Sequence, residues 1–270
     1  MHNSPSPEDM LESLRRSGYL LEGRIVDALN RLKMFVESNV AYLDKRTGVS
    51  REVDIVAESY RYAEGRSKLC VKTVFVIEAI NNPFPVAVMT PYRWTPNIDE
   101  DQFIPYCITP GEREGAHPFA SEVSLSEIKA EYRTEVFCQY CGFSKKKGDG
   151  EWMASHPDDL YGAIKKSVEY TMTLRDHAAE WMSQQDGEYW RIFQWRPVVV
   201  FGGQLFALRG GKIEPVERTQ LRFNFHWQEE EQSTIVDFVC EPAFQGWVAG
   251  IDDEDEAIES KLQELRSGKA

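Results

Sequence analysis

An α/β core with an α+β C-terminal extension is the fold class this sequence predicts, and three observations predict it. Apolar residues recur at the helical period across Tyr19–Val36. Two segments of strand character, Val40–Asp44 and Arg51–Glu58, flank the turn Lys45-Arg46-Thr47-Gly48. The run Leu69–Ile80 is rich in β-branched and aromatic residues, the composition of a strand covered on both faces.

Residues 8–16 predict a short helix ended by Ser17-Gly18. The next helix carries Leu21, Ile25, Leu29, Leu32 and Val36 on one stripe. The hairpin follows, then a polar loop, then Leu69–Ile80 as a central strand that Asn81-Asn82-Pro83 stops. Pro85–Met89 begins a further strand, and residues 91–150 are the least regular part. Pro157-Asp158-Asp159 predicts a helix start, because acids in a first turn complement the helix dipole. That helix reaches about Gln184. Pro197–Leu208 and Ile213–Trp227 read as strands joined across Gly210-Gly211, Thr234–Cys240 as another, and Asp255–Arg266 as a charged helix. The division expected is a core over 1–95 and an extension over 96–270 packed onto it.

With 270 residues, 42% of them hydrophobic, the chain can bury one large core. The opening MHNSPSPEDM is polar, with no signal-type apolar segment behind it, and no apolar run is long enough to span a bilayer. A soluble, cytoplasmic protein with no membrane partner is the expectation. The net charge of −13 argues against a broad nucleic-acid surface while leaving room for a local basic groove. Much of the acidity sits in Glu229–Glu231 and Asp252–Glu256, expected as a solvated turn and a tail linker. Five cysteines without a secretion signal predict reduced thiols, with Cys70 and Cys240 as small buried hydrophobes.

Three acids interrupt apolar patterns. Glu22 lies on its helix's apolar stripe, with Ile25, Val26 and Leu29 as neighbours. Asp54 sits mid-strand in Val53-Asp54-Ile55-Val56, and Glu78 ends Val74-Phe75-Val76-Ile77-Glu78. A carboxylate placed against propensity and burial needs compensation, and a divalent cation supplies it. Each acid alone reads more readily as an ion-pair partner or edge residue than as a metal ligand.

Their order, a helix acid, a hairpin-strand Asp and then a Glu closing the next strand, resembles the restriction-endonuclease-like, or PD-(D/E)XK, nuclease superfamily. The matching segments are Gly18–Glu22, Arg51–Ala57 and Val76–Ile80, which with Pro85–Met89 cover roughly residues 17–90. The resemblance implies a mixed sheet core flanked by helices. It also implies Mg²⁺ or Mn²⁺ held by Glu22, Asp54 and Glu78, and hydrolysis of DNA phosphodiesters. One position departs. The residue two after the Glu should be lysine and is Ile80. Lys72 shares the strand face, but six residues at ~3.3 Å each put it about 20 Å from Glu78. Asn81, Asn82 and Arg93 follow on the next loop, and a lysine from elsewhere in the fold would also serve.

Two readings stay open: a metal-dependent nuclease, active or degenerate, and a non-enzymatic interaction module or subunit of a larger assembly with a protein partner. Other candidates are minor. Cys138-Gln139-Tyr140-Cys141 has the spacing of half a zinc site, with Cys107, His117 and His156 available to complete it, or is simply two core or loop cysteines. Lys145–Lys147 with Lys165 and Lys166 form either a modest basic patch or a solvated loop and exposed helix face. Tyr60, Arg61, Tyr62 and Arg66 interleave aromatic and basic residues, as nucleic-acid contacts do. His156 falls at a helix start.

Overall fold

Two helices open the chain on either side of a glycine. Helix α1 (Pro7–Ser17) is capped reciprocally by Ser6 and Asp9, with the Asp9 N–H donating to Ser6 Oγ at 3.1 Å and the Ser6 N–H to Asp9 Oδ2 at 3.2 Å. Gly18 takes the left-handed conformation at φ 94° and joins α1 to α2 (Tyr19–Arg31), which buries Leu21, Ile25 and Leu29. Helix α2 stops short of the expected Val36 because Lys33 turns to φ 60° and strand β1 (Phe35–Leu43) begins at once. The computed structural model describes residues 4–44, 47–62, 69–82, 84–93, 106–109, 128, 134–146, 150–182 and 190–267. Lys45, Arg46, Arg66, His117, Lys147 and the side chain of Cys107 lie outside the described residues.

Strand β1 pairs antiparallel with β2 (Ser50–Tyr62), and β2 antiparallel with β3 (Leu69–Ile80). Strand β4 (Val86–Pro91) follows, then β5 (Tyr106–Thr109), β6 (Val136–Lys145) and β7 (Trp152–Ser155). After helix α3 (Asp158–Met182) comes β8 (Trp190–Phe201), parallel to β3 from Leu69↔Trp190 to Ile80↔Phe201. Strands β9 (Leu205–Arg209), β10 (Lys212–Val216), β11 (Arg218–Trp227) and β12 (Glu230–Cys240) precede helix α4 (Glu241–Arg266). One mixed sheet results, ordered β1-β2-β3-β8-β12-β11-β6-β4-β9-β10, with β5 on β8 and β7 on β6.

Helices cover both faces. On one side, Leu160, Ile164, Val168 and Met172 of α3 pack on Val199, Phe201 and Phe238. On the other, α2 and α4 bring Ile25, Leu29, Phe244, Trp247 and Val248 against Ile55, Phe75, Ile77 and Val198. The odd and even residues of β3 therefore serve opposite faces, and both are buried, as its composition predicts. The architecture is α/β with a large mixed sheet. No helix among the described residues is long and apolar enough to cross a membrane.

Three expectations are corrected, the first being that Ile213–Trp227 is not one strand but β10 and β11, divided at Glu217. The strand expected over Pro197–Leu208 starts earlier, at Trp190, and breaks at Gly202-Gly203. Pro197 fits because it falls between the stretch of β8 paired with β5 (residues 191–194) and the stretch paired with β12 (198–201), where a missing N–H interrupts neither ladder. The break follows from crowding, since a Cβ on Gly203 would lie 2.4 Å from the Asn82 carbonyl oxygen. The C-terminal helix begins at Glu241, not Asp255, so Asp252–Glu256 is helical instead of a linker, and Glu254 and Asp255 are 3% and 1% exposed. Of Glu229–Glu231, expected as a solvated turn, only Glu229 lies in the turn, while Glu230 and Glu231 open β12, and all three are exposed. Gln228 and Glu229, at φ 51° and 69°, make the two-residue loop between β11 and β12.

Candidate active site

Three elements bring carboxylates to the carboxyl end of β3, the end of parallel strands where open α/β sheets gather ligands. The β2–β3 register pairs Ile55 with Ile77, so one further step sets Asp54 opposite Glu78. The Ala79 backbone N–H donates to Asp54 Oδ2 at 2.8 Å and fixes that carboxylate against the strand. Helix α2 starts beside the same strand end, where Asn81 Nδ2 donates to the Arg15 carbonyl at 2.5 Å, and Glu22 lines the cleft that opens there. The cleft has a volume of about 620 Å³ and is lined by Glu22, Asp54 and Glu78 together.

The fourth member comes from α3. Lys166 Nζ lies 2.5 Å from Glu78 Oε2 and 4.0 Å from Asp54 Oδ1, and it donates to the Glu52 carbonyl at 3.3 Å. Ile80 shares the Glu78 face of β3, as strand alternation requires, but packs into the apolar cluster under α3. A cation thus stands beside these acids, brought across the cleft by a helix far away in sequence. The sequence left Lys166 either in a modest basic patch or on an exposed helix face, and the structure has it partly buried and paired with Glu78. The available signal was helical spacing, since Ala163 and Tyr170 are its i−3 and i+4 neighbours.

Glu78 is 2% exposed, and its Oε1 is buried without a hydrogen-bond partner. Burial first, and then the charge of Asp54, raise its carboxyl to about 8, while Lys166 pulls the other way. Glu22 is also raised, by burial and then by Asp54 and Glu52, with Lys166 opposing. The acids therefore sense one another and one lysine. Arg16, Arg51 and Lys165 also line the cleft, although Arg51 is engaged with Asp44 at 2.9 Å and Lys165 with Glu169 at 3.7 Å.

No three His, Cys, Asp or Glu side chains among the described residues converge as a ready-made metal cage. What fits a hard divalent cation is narrower. Asp54 and Glu78 are adjacent oxygen donors, one oxygen of Glu78 is orphaned, and Glu22 faces the same cleft.

The remaining candidates lie apart from the cleft. Cys138 and Cys141, three residues apart on β6, point to opposite faces of the sheet, and burial raises both thiols. His156 packs its ring on Tyr140 at 4.4 Å. Lys145 sits over the Trp152 ring at 5.3 Å. Arg61 is bound to Asp252 of α4 at 2.8 Å, while the rings of Tyr60 and Tyr62 stack at 6.0 Å. Cys70 and Cys240 are buried, as expected. No family model, curated protein or solved structure matches this chain.

Proposed function

We propose that this chain is a restriction-endonuclease-like, divalent-metal-dependent phosphodiesterase acting on DNA, with Lys166 in the role that Ile80 cannot fill. The observation that carries the reading is the approach of the Lys166 ammonium, from α3, to 2.5 Å from Glu78 and 4.0 Å from Asp54. An acid–acid–lysine set at a strand end is the chemistry that phosphodiester hydrolysis needs. Asp54 and Glu78 would hold Mg²⁺ or Mn²⁺, and Glu22 lines the same cleft. When bound, such an ion supplies Lewis-acid stabilisation of the phosphate and activation of water.

The chain's own residues do the rest. The Ala79 N–H holds Asp54 in one orientation, and the Glu52 carbonyl steers the lysine stem toward the acids. Lys166 then presents positive charge where a scissile phosphate would lie against the carboxylates, and it tempers the repulsion between them. The helix supplies this charge without disturbing the apolar packing of Ile80.

The test is cleavage of single- and double-stranded DNA with Mg²⁺ or Mn²⁺, comparing wild type with Asp54→Ala, Glu78→Ala and Lys166→Ala. Each substitution is expected to lower the rate by ~10²–10³, the usual cost of removing one charge-stabilising group. Unchanged rates in all three would remove the assignment, leaving the interaction-module reading with a protein partner to be sought by co-purification.

A further inference from the structure

Beside the cleft lies a second cavity of about 470 Å³. It is bounded by Tyr42–Asp44 at the end of β1, by Glu169 and Thr173 of α3, and by His226–Glu229 at the tip of the β11–β12 hairpin. Glu169 lines both this cavity and the cleft, so the two adjoin.

Its volume lies in the range that encloses a small-molecule ligand. Two of its walls are aromatic and held in place. The Trp227 indole N–H donates to Asp176 at 3.1 Å, and the Tyr42 ring packs on Tyr170 at 5.0 Å. The hydroxyl of Tyr42 is buried and has no hydrogen-bond partner among the described residues. A buried hydroxyl left unpaired is costly, which makes it a group waiting for a ligand atom. The remaining polar lining holds three acids, Asp44, Glu169 and Glu229, beside Thr173, His226 and Gln228, with Asp44 bound to Arg51 at 2.9 Å and Glu169 to Lys165 at 3.7 Å. Such a wall repels phosphate and accepts from N–H donors.

We infer that this cavity binds a nucleobase bearing an exocyclic amino group, its ring against Tyr42 and Trp227 and its N–H donors toward the acidic wall. The strand that carries the base would place its backbone in the adjoining cleft, a step that rests on the phosphodiesterase reading. The base pocket itself does not depend on catalysis. Aromatic side chains stack on any base, whereas a carboxylate wall favours the base that offers it more N–H donors. Adenine, cytosine and guanine carry an exocyclic amino group, while thymine offers only its N3–H.

The experiment titrates the full chain, in chelator, with adenosine, cytidine, guanosine and thymidine, read by saturation-transfer NMR and calorimetry. Amino-bearing nucleosides should bind about tenfold or more tightly than thymidine, and Tyr42→Phe should weaken them several-fold without changing the fold. Thr173→Leu, which fills the cavity, should abolish the signal. Should that variant melt, His226→Trp at the exposed rim provides the same block. Equal affinity for all four nucleosides, or none at millimolar concentration, would overturn the inference, as would binding indifferent to both Tyr42→Phe and the blocking variant. Nucleoside binding without DNA cleavage upholds the pocket while retiring the phosphodiesterase reading. Asp54-dependent cleavage without nucleoside binding does the reverse.

Discussion

Glu78 carries the largest electrostatic penalty of the cleft residues, and that penalty is measurable. Burial and Asp54 raise its carboxyl to about 8 in the metal-free protein, against an unfolded value of about 4.3. Between those values the folded state holds a proton that the unfolded state has released, so stability falls as pH rises through the window. Glu78→Gln has no proton to lose. In chelator its melting temperature should gain on wild type as pH climbs from about 5 to about 8, and the difference should level off above that. Parallel curves across the range would mean that the Glu78 carboxyl is not destabilised by its setting.

At the scale of elements, α3 and α4 are each fastened to the sheet by charge as well as by apolar packing. Helix α3 delivers Lys166 to one face. Helix α4 delivers Glu254 and Asp255 to the other, where Arg196 Nη2 donates to both Glu254 oxygens at 2.7 Å. Asp255 accepts from Gln194 at 2.6 Å and from Thr73 at 3.0 Å. Asp237 stands 3.7 Å from Arg196 and accepts from Gln220 at 2.9 Å. Removing one partner of a buried pair leaves a charge without its main compensation. Glu254→Ala should therefore cost about 3 kcal/mol of unfolding free energy by denaturant titration, and pairing it with Arg196→Met should recover part of that. A loss under about 0.5 kcal/mol would mark the pair as an exposed type instead.

For the whole molecule, the decisive pairing is β3 with β8. It joins residues on either side of position 95 along the full length of β3, and helices α3 and α4 then close the two faces over it. A fragment of residues 1–95 keeps α2 and β1–β3 but loses the strand and both helices that cover Phe75, Val76 and Ile77. That fragment should show no cooperative thermal transition and should bind dyes for exposed apolar surface, whereas the full chain melts cooperatively. A cooperative melt of the fragment would mean that the first unit holds its own core.

Much of the local structure was legible in the residues themselves. Leu69–Ile80 carries its strand in its β-branched composition, α2 its buried stripe in Leu21, Ile25 and Leu29, and the three acids stand out by the apolar patterns they interrupt. These are short-range properties, set by side-chain period and by the cost of burying charge. Tertiary structure alone decided the remainder. Lys166 reaches Glu78 only because α3 crosses the face of β3, and spacing within a helix does not say which strand lies beneath it. Asp252–Glu256 read as solvated because charge runs usually are, yet Arg196 and Gln194 on a separate strand make two of those acids buried partners. The sequence by itself determined that Glu22, Asp54 and Glu78 would interrupt apolar patterns, and their meeting at the end of β3 followed from strand register and from the start of α2. The cation beside them was decided by how distant elements pack, because a long-range contact leaves no periodic trace in the chain.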